Sequence, residues 1–195
     1  MLAYFIGGLP FGYWFARISS GKDIRTVGSG NIGATNVYRT MGRKPGLIVL
    51  LLDILKGFVA VWLAALISRG DPGALAVNAL AVMLGHCYPV LLRFHGGKAV
   101  ACFIGAFLYL APASLAITAV VFIAVVALTK YISLASIIGV LFFPVPMWFV
   151  TRPPLPIFIA SIAAAALIVY RHRNNIARLR AGKENVFSLS GGRGK

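Results

Sequence analysis

Acidic side chains are scarce in this chain: 195 residues include four Asp and Glu against 19 Lys and Arg. No carboxylate pair stands near a histidine and no H-x-x-x-H occurs, so the sequence presents no metal site and calls for no cofactor. The two cysteines, Cys87 and Cys102, lie in apolar surroundings without C-x-x-C spacing, which excludes a disulfide framework and leaves small packing residues. No stretch is long enough for a separate soluble domain. Period-two alternation is absent, which argues against a membrane barrel. The apolar amino end lacks a preceding basic region and a small-residue cleavage site, so it is expected to be a retained helix.

What the chain has in quantity is apolar sequence. It is 59% hydrophobic with a mean hydropathy of +0.88. Lipid-facing backbone must satisfy its polar groups within its own segment, so the expectation is an all-α polytopic membrane protein forming one membrane-embedded domain over residues 1–195. The formal charge of +15 could suggest nucleic acid. In a membrane chain it fits cytoplasmic loops, anionic lipid headgroups and an anionic substrate better.

Apolar runs at 1–16, 46–68, 73–92, 133–150 and 155–170 each suit one span, with Pro144 and Pro146 expected to kink the fourth of these. The run at 99–128 would be roughly 45 Å long as one helix, beyond a hydrocarbon core of about 30 Å. Pro112 near its middle divides it into two short spans turning at 111–114. Seven crossings place sixteen Lys and Arg on one side and only Arg69 and Arg152 on the other, with Lys56 inside a span. Six would send the tail's seven positive charges across the membrane. The expectation is therefore a bundle of seven transmembrane helices, N-terminus out and C-terminus cytoplasmic, with every polar motif at the cytoplasmic face.

The polar stretch VGSGNIGATNVYRTMGRK, residues 27–44, stands between two of the most apolar segments. Gly28, Gly30 and Gly33 permit sharp turns whose bare amides can form an anion trap. Ser29, Asn31, Thr35 and Asn36 add neutral hydrogen-bonding groups, and Arg39 and Arg43 add planar cations suited to phosphate. Gly28 to Gly33 also spells G-x-G-x-x-G. The dinucleotide reading needs a preceding strand and a later acidic residue in a soluble unit, and it fails on that context. A plain connector would not require so many polar side chains beside the glycines.

Other constellations follow. Asp53 and Lys56, three apart within a span, read as a local ion pair or as a cation contributed to the anionic site. In GHCYPV…FHGGK, the Gly96 and Gly97 amides could open a helix toward an anion, with Lys98 as a second phosphate contact. His86 reads equally as a packing histidine or a catalytic base, and His95 as a loop residue. Ser133 and Ser136 open a helix, where they would cap it or bind an oxyanion. In the tail, Arg171, Asn174, Asn175 and Arg178 recur at helical spacing on one expected face, alongside His172, with Glu184 orienting arginines or accepting a proton.

These segments resemble, in order and over essentially the whole chain, the signature motifs of the PlsY family, bacterial integral-membrane glycerol-3-phosphate acyltransferases that use acyl phosphate: GSGNIGATNVYR, GHCYPV with FHGGKAVA, and RHRNNIARLRAGKE. Ala99 stands where that family often has glycine. The resemblance implies acyl transfer from acyl phosphate to the 1-hydroxyl of sn-glycerol 3-phosphate, giving lysophosphatidic acid and phosphate, at the cytoplasmic face of a bacterial inner membrane. The residues expected to be catalytic are Ser29, Arg39, Lys98 and His86. Gly28, Gly30, Asn31, Gly33, Thr35, Asn36, Gly96, Gly97, Ser133, Ser136, His172, Asn174, Asn175, Arg178 and Glu184 would bind substrates. Partners would be the two phosphorylated substrates, membrane lipid and other phospholipid-synthesis enzymes, with no nucleic acid. The H-x-x-x-x-D pair of the other glycerolipid acyltransferases is missing: five residues after His86, His95 and His172 stand Leu91, Val100 and Ala177. The alternative is a small membrane transporter of an anionic phosphorylated metabolite. A lipid-binding scaffold ranks third, because it would not need glycines beside Lys98.

Overall fold

The computed structural model describes residues 1–187, and its regular structure is helical. Arg193 and Lys195, counted above among the tail charges, lie outside the described residues. Helices α1 (Leu2–Gly7) and α2 (Phe11–Ser20) are separated at 8–10, where Pro10 lacks an N–H and disfavours helical geometry at Leu9. The expected first span over 1–16 is thus two short helices. A polar loop leads to α3 (Ala34–Met41), and Gly42, at φ +98°, separates it from the 26-residue α4 (Arg43–Ser68). Helix α5 (Pro72–Cys87) begins with the Asp71 carboxylate accepting the Ala74 N–H at 2.7 Å.

The long apolar run divides where Pro112 predicts. Helix α6 (Val100–Leu110) ends at Ala111, and α7 (Pro112–Thr129) starts with its proline at the first helical position. Helix α8 (Ile132–Phe142) continues through the single turn α9 (Pro144–Pro146) and a π-turn at Met147–Thr151. Helices α10 (Leu155–Arg171) and α11 (Arg173–Arg180) meet at His172 with a bend of 57°.

Among the described residues, Arg43–Ser68, Pro72–Leu92, Pro112–Thr129 and Ile132–Thr151 are long and apolar enough to cross a membrane, and α10 with α11 makes a fifth if counted through its bend. Helix α6 is about 16 Å long, short of a core of about 30 Å. On length, then, the expected first span and the expected span ending at Pro112 do not qualify, and the expected seventh does so only together with α11.

Packing explains how the short α6 is held. Gly57 of α4 lies against the Cys102 carbonyl and Gly105 of α6 against the Ile54 carbonyl, so a Cβ at either would overlap backbone. Phe103, Phe107 and Phe143 stack at centroid distances of 4.7 to 4.9 Å in the buried core. Helix α7, by contrast, turns Val120, Ile123 and Leu128 outward. It leaves a groove against α4, α6 and α8.

One residue in this region is strained. Ala99, 1% exposed and just before α6, has φ +61°. An alanine in that conformation costs about 1–2 kcal/mol, partly offset by the entropy a glycine would lose on folding. Ala99→Gly is therefore expected to stabilise the protein by about 0.5–1 kcal/mol, seen as a higher Tm in detergent.

Candidate active site

The loop before α3 is organised by Asn36, which is 2% exposed. Its Nδ2 donates to the carbonyls of Ile24, Val27 and Asn31 at 3.2, 3.0 and 2.8 Å, and its Oδ1 accepts the Ser29 N–H at 2.8 Å. The Gly30 N–H donates to the Val27 carbonyl and the Gly33 N–H to Asn31 Oδ1. These amides are spent inside the loop, which corrects the expected anion trap. Gly28 and Gly30, at φ +60° and +69°, shape the turn and do not line the cavity described below. What the loop delivers is the start of α3, carrying Thr35 and Arg39.

The Gly96–Gly97 turn departs in the same way. Its two N–H groups donate to the carbonyls of Cys87 and His86 at 3.2 and 2.9 Å, so they are not aimed at a ligand. Its two carbonyls accept from the Arg171 guanidinium, both at 3.0 Å, and that guanidinium also lies 4.9 Å from the Tyr88 ring centroid. Arg171 is thus a clamp on the turn that presents Lys98. A Cβ on Gly97 would overlap the His86 ring, so only glycine lets the two approach.

Lys98 Nζ donates to Asn175 Oδ1 at 2.6 Å. Burial pushes its ammonium down to about 8, helped by Arg178, Arg39 and Arg171 and opposed by Glu184. If the charged form holds substrate, that charge is lost as pH rises through about 8. Between pH 7 and pH 9, kcat/KM should fall about tenfold, a limb that rate profiles will show.

Asn175 and Glu184 tie the site to the tail. Glu184 Oε1 accepts from Asn175 Nδ2 at 2.8 Å and from the Ser133 hydroxyl at 3.1 Å, while Oε2 accepts from Arg178 Nε at 2.8 Å. Burial alone would raise its pKa, but those hydrogen bonds outweigh it and hold the carboxyl below its ordinary value. An ionised, fully engaged carboxylate is an anchor rather than a base. Ser136 donates to the Ile132 carbonyl at 2.9 Å, and neither serine caps α8, so capping gives way to cavity lining. The bend at His172 turns Asn174 outward, away from the cavity. Arg178 acts on the cavity through Glu184 and does not line it, which corrects the single basic face expected for 171–178.

Ser29, Asn31, Gly33, Thr35, Asn36, Arg39, Arg43, His86, Lys98, Ser133, Ser136, His172, Asn175 and Glu184 all line one cavity of about 730 Å³. Its other walls are apolar: Leu47 and Leu50 of α4, Phe103, Ile104 and Leu108 of α6, Leu115, Ala119 and Phe122 of α7, and Val140 of α8. Sequence reading missed Asp53, Phe187 and these groove residues as cavity lining. An acid inside an apolar run was the signal for Asp53, whereas groove residues read as ordinary lipid-facing sequence. The Phe187 ring packs 5.4 Å from that of Tyr38, and the Phe187 N–H donates to the Lys130 carbonyl, drawing the tail across the mouth.

The two histidines carry opposite protons. His172 Nδ1 lies 2.8 Å from the Ile168 carbonyl, which only accepts, so its Nε2 keeps a lone pair. His86 Nδ1 lies 2.9 Å from the Lys56 ammonium, which only donates. Lys56 itself pairs with Asp53 at 2.7 Å and donates to the Leu9 carbonyl at 2.9 Å, so the ion-pair reading of 53 and 56 holds and Lys56 stays off the cavity wall. Among the described residues no group of three His, Cys, Asp or Glu could hold a metal ion.

A family model described as glycerol-3-phosphate acyltransferase matches residues 1–182. A glycerol-3-phosphate acyltransferase of Geobacter sulfurreducens is 47% identical over 186 residues, covering 95% of this chain and 94% of the relative. Another, of Desulforamulus reducens, is 46% identical over 182 residues, covering 93% and 90%. Among solved structures, PlsY, an integral membrane glycerol 3-phosphate acyltransferase, superimposes in its glycerol 3-phosphate form with a TM-score of 0.90 at 40% identity, covering 97% of this chain and 94% of that one. Its lysophosphatidic acid form gives 0.86 at 38%, covering 97% and 93%.

Proposed function

The chain belongs to the glycerol-3-phosphate acyltransferase family, and from that premise we propose that it transfers a fatty acyl group from acyl phosphate to the 1-hydroxyl of sn-glycerol 3-phosphate. The products are lysophosphatidic acid and inorganic phosphate. The observation that carries this reading is one cavity whose cationic, hydrogen-bonding end opens directly into an apolar groove.

The chemistry asks little of the protein beyond positioning. An acyl phosphate is already activated: the glycerol hydroxyl oxygen bonds to the acyl carbon, the bond to the phosphate oxygen breaks, and the hydroxyl proton passes to the departing phosphate. Lys98 and Arg39 neutralise phosphoryl charge where water is largely excluded. Ser29 donates to the donor's phosphate, and Asn175 and His172 hold glycerol phosphate, the His172 Nε2 lone pair accepting from a hydroxyl. The fatty chain follows the groove. Along α6, from Val100 to Leu110, the wall runs about 16 Å at roughly 1.5 Å per residue. Carbon–carbon bonds of about 1.5 Å meeting near 111° advance about 1.25 Å each, so roughly thirteen carbons fit that length.

Seven crossings with the amino end outside and the carboxyl end in the cytoplasm put this cavity at the inner leaflet of a bacterial inner membrane. There, soluble glycerol 3-phosphate and membrane-borne donor and product can all reach it. The short α6 and the α1–α2 pair cross by packing on α4 and α5 rather than by their own length.

Purified protein in detergent, given labelled glycerol 3-phosphate, is expected to form lysophosphatidate with palmitoyl phosphate and not with palmitoyl-CoA. Turnover with the thioester alone, or with neither donor, overturns the proposal.

A further inference from the structure

Three buried polar side chains meet beside the cavity, Asp53 and His86 on its wall and Lys56 behind them, at 2%, 4% and 4% exposure for Asp53, Lys56 and His86. A paired charge at membrane depth is a costly way to join helices, since an apolar pair of similar volume packs as well or better. Its geometry suggests a different use. The Lys56 ammonium, which has only protons to give, lies 2.7 Å from Asp53 Oδ1 as an ion pair and hydrogen-bonds to the Leu9 carbonyl and to His86 Nδ1, both at 2.9 Å. Since Nδ1 must accept, the imidazole proton resides on Nε2. Nε2 lies over Gly97, next in the chain to Lys98, and His86 lines the cavity. Among the described residues no protein acceptor is in hydrogen-bond contact with Nε2.

We infer that His86 is a fixed hydrogen-bond donor, through Nε2–H, to a phosphoryl oxygen held beside Lys98, and that Asp53 and Lys56 are the positioning residues that set its tautomer. The inference rests on the cavity being the acyl-transfer site, and it replaces a base with a donor. Asp53 holds the Lys56 ammonium in place as its ion-pair partner; the ammonium, which only donates, leaves Nδ1 to accept; Gly97 lets the donating edge come close to the phosphate site. At metal sites, outer groups that fix a histidine tautomer are typically worth about ten- to a hundredfold in affinity or activity, and the lower end of that scale is expected for the same arrangement here.

The direct test is nitrogen-15 NMR of the full-length protein in detergent with labelled histidine, His86 being assigned by loss of its signals in His86→Gln. The expected result is one neutral tautomer with the proton on Nε2, whose resonance moves when inorganic phosphate is added. Asp53→Asn/Lys56→Met, which removes both charges together, is expected to populate both tautomers and lower kcat/KM about tenfold. His86→Gln, which places an amide N–H near the Nε2 position, should recover most turnover. His86→Asn keeps an acceptor for Lys56 but has no donor at that reach, and should not. A raised KM for palmitoyl phosphate assigns the contact to the donor's phosphate, and a raised KM for glycerol 3-phosphate assigns it to the acceptor's. A proton on Nδ1 in the wild type, no response to phosphate, or wild-type KM values in His86→Asn overturns the inference. The NMR arms need no turnover, so a protein that does not use acyl phosphate would fail the assay and still report the tautomer.

Discussion

Lys98→Ala is expected to lower kcat/KM for acyl transfer by about 10²–10³-fold without lowering the Tm. The ammonium stands at the junction of turn and helix, held at 2.6 Å by Asn175 Oδ1, with its pKa pushed down to about 8 first by burial and then by Arg178, Arg39 and Arg171 nearby. That crowding of cations disfavours the free folded protein and suits one waiting for phosphate. Removing the charge relieves repulsion in the empty site and removes attraction when two phosphorylated reactants share it. Asn175 keeps its bond to Glu184, so the scaffold survives. Steady-state kinetics beside thermal unfolding in detergent separate the two effects. Equal losses of activity and Tm would make Lys98 a structural residue.

Glu184→Ala is expected to do the opposite, failing first in stability. Its two oxygens take hydrogen bonds from Ser133 of α8 and from Asn175 and Arg178 of α11, three contacts that join two helices through one carboxylate. Loss of the carboxylate leaves three donors without their acceptor beside a buried wall. Arg178 is partly exposed and water compensates it, so the cost is on the order of 2–3 kcal/mol rather than that of a fully buried pair. For a chain of this size that corresponds to roughly 5–10 °C in Tm. Activity should fall as well, because Asn175 loses the partner that aims it at Lys98. The carboxyl's folded pKa is depressed, so its stabilisation is complete above the ordinary carboxylate range and is lost as pH falls through the folded value. Wild-type protein should accordingly show an acid-labile component that Glu184→Gln lacks. Unfolding curves at pH 7 and pH 4 would show it.

Much of this architecture could be read from residue order. Pro112 divides a run too long for one crossing, and α6 and α7 meet beside it. Lys98, Arg39, Ser29, Ser133, His172, Asn175 and Glu184 are far apart in sequence and share one cavity. What sequence could not convey is how each backbone amide is spent. A run of glycines next to asparagines looks like an open anion cradle until Asn36 is seen to occupy its centre. The paired Gly96 and Gly97 look like a helix opening until their N–H groups prove to close back on 86 and 87. The 57° bend at His172 was equally hidden: helical spacing put Asn174 and Asn175 on one face, and the bend sends only Asn175 inward. The reach of Lys56 to Leu9 and His86 depends on where α1 stops, a long-range fact that spacing within α4 does not hold.

The central claim is that one cavity takes both the phosphates and the fatty chain, and a complex structure with glycerol 3-phosphate and a non-transferable acyl phosphonate tests it most directly. Phosphonate oxygens are expected within hydrogen-bond distance of Lys98, glycerol phosphate beside Asn175, and the acyl chain along Phe103, Ile104 and Leu115. Phosphonate bound away from Lys98, or an acyl chain lying on the outward face of α7, would contradict it.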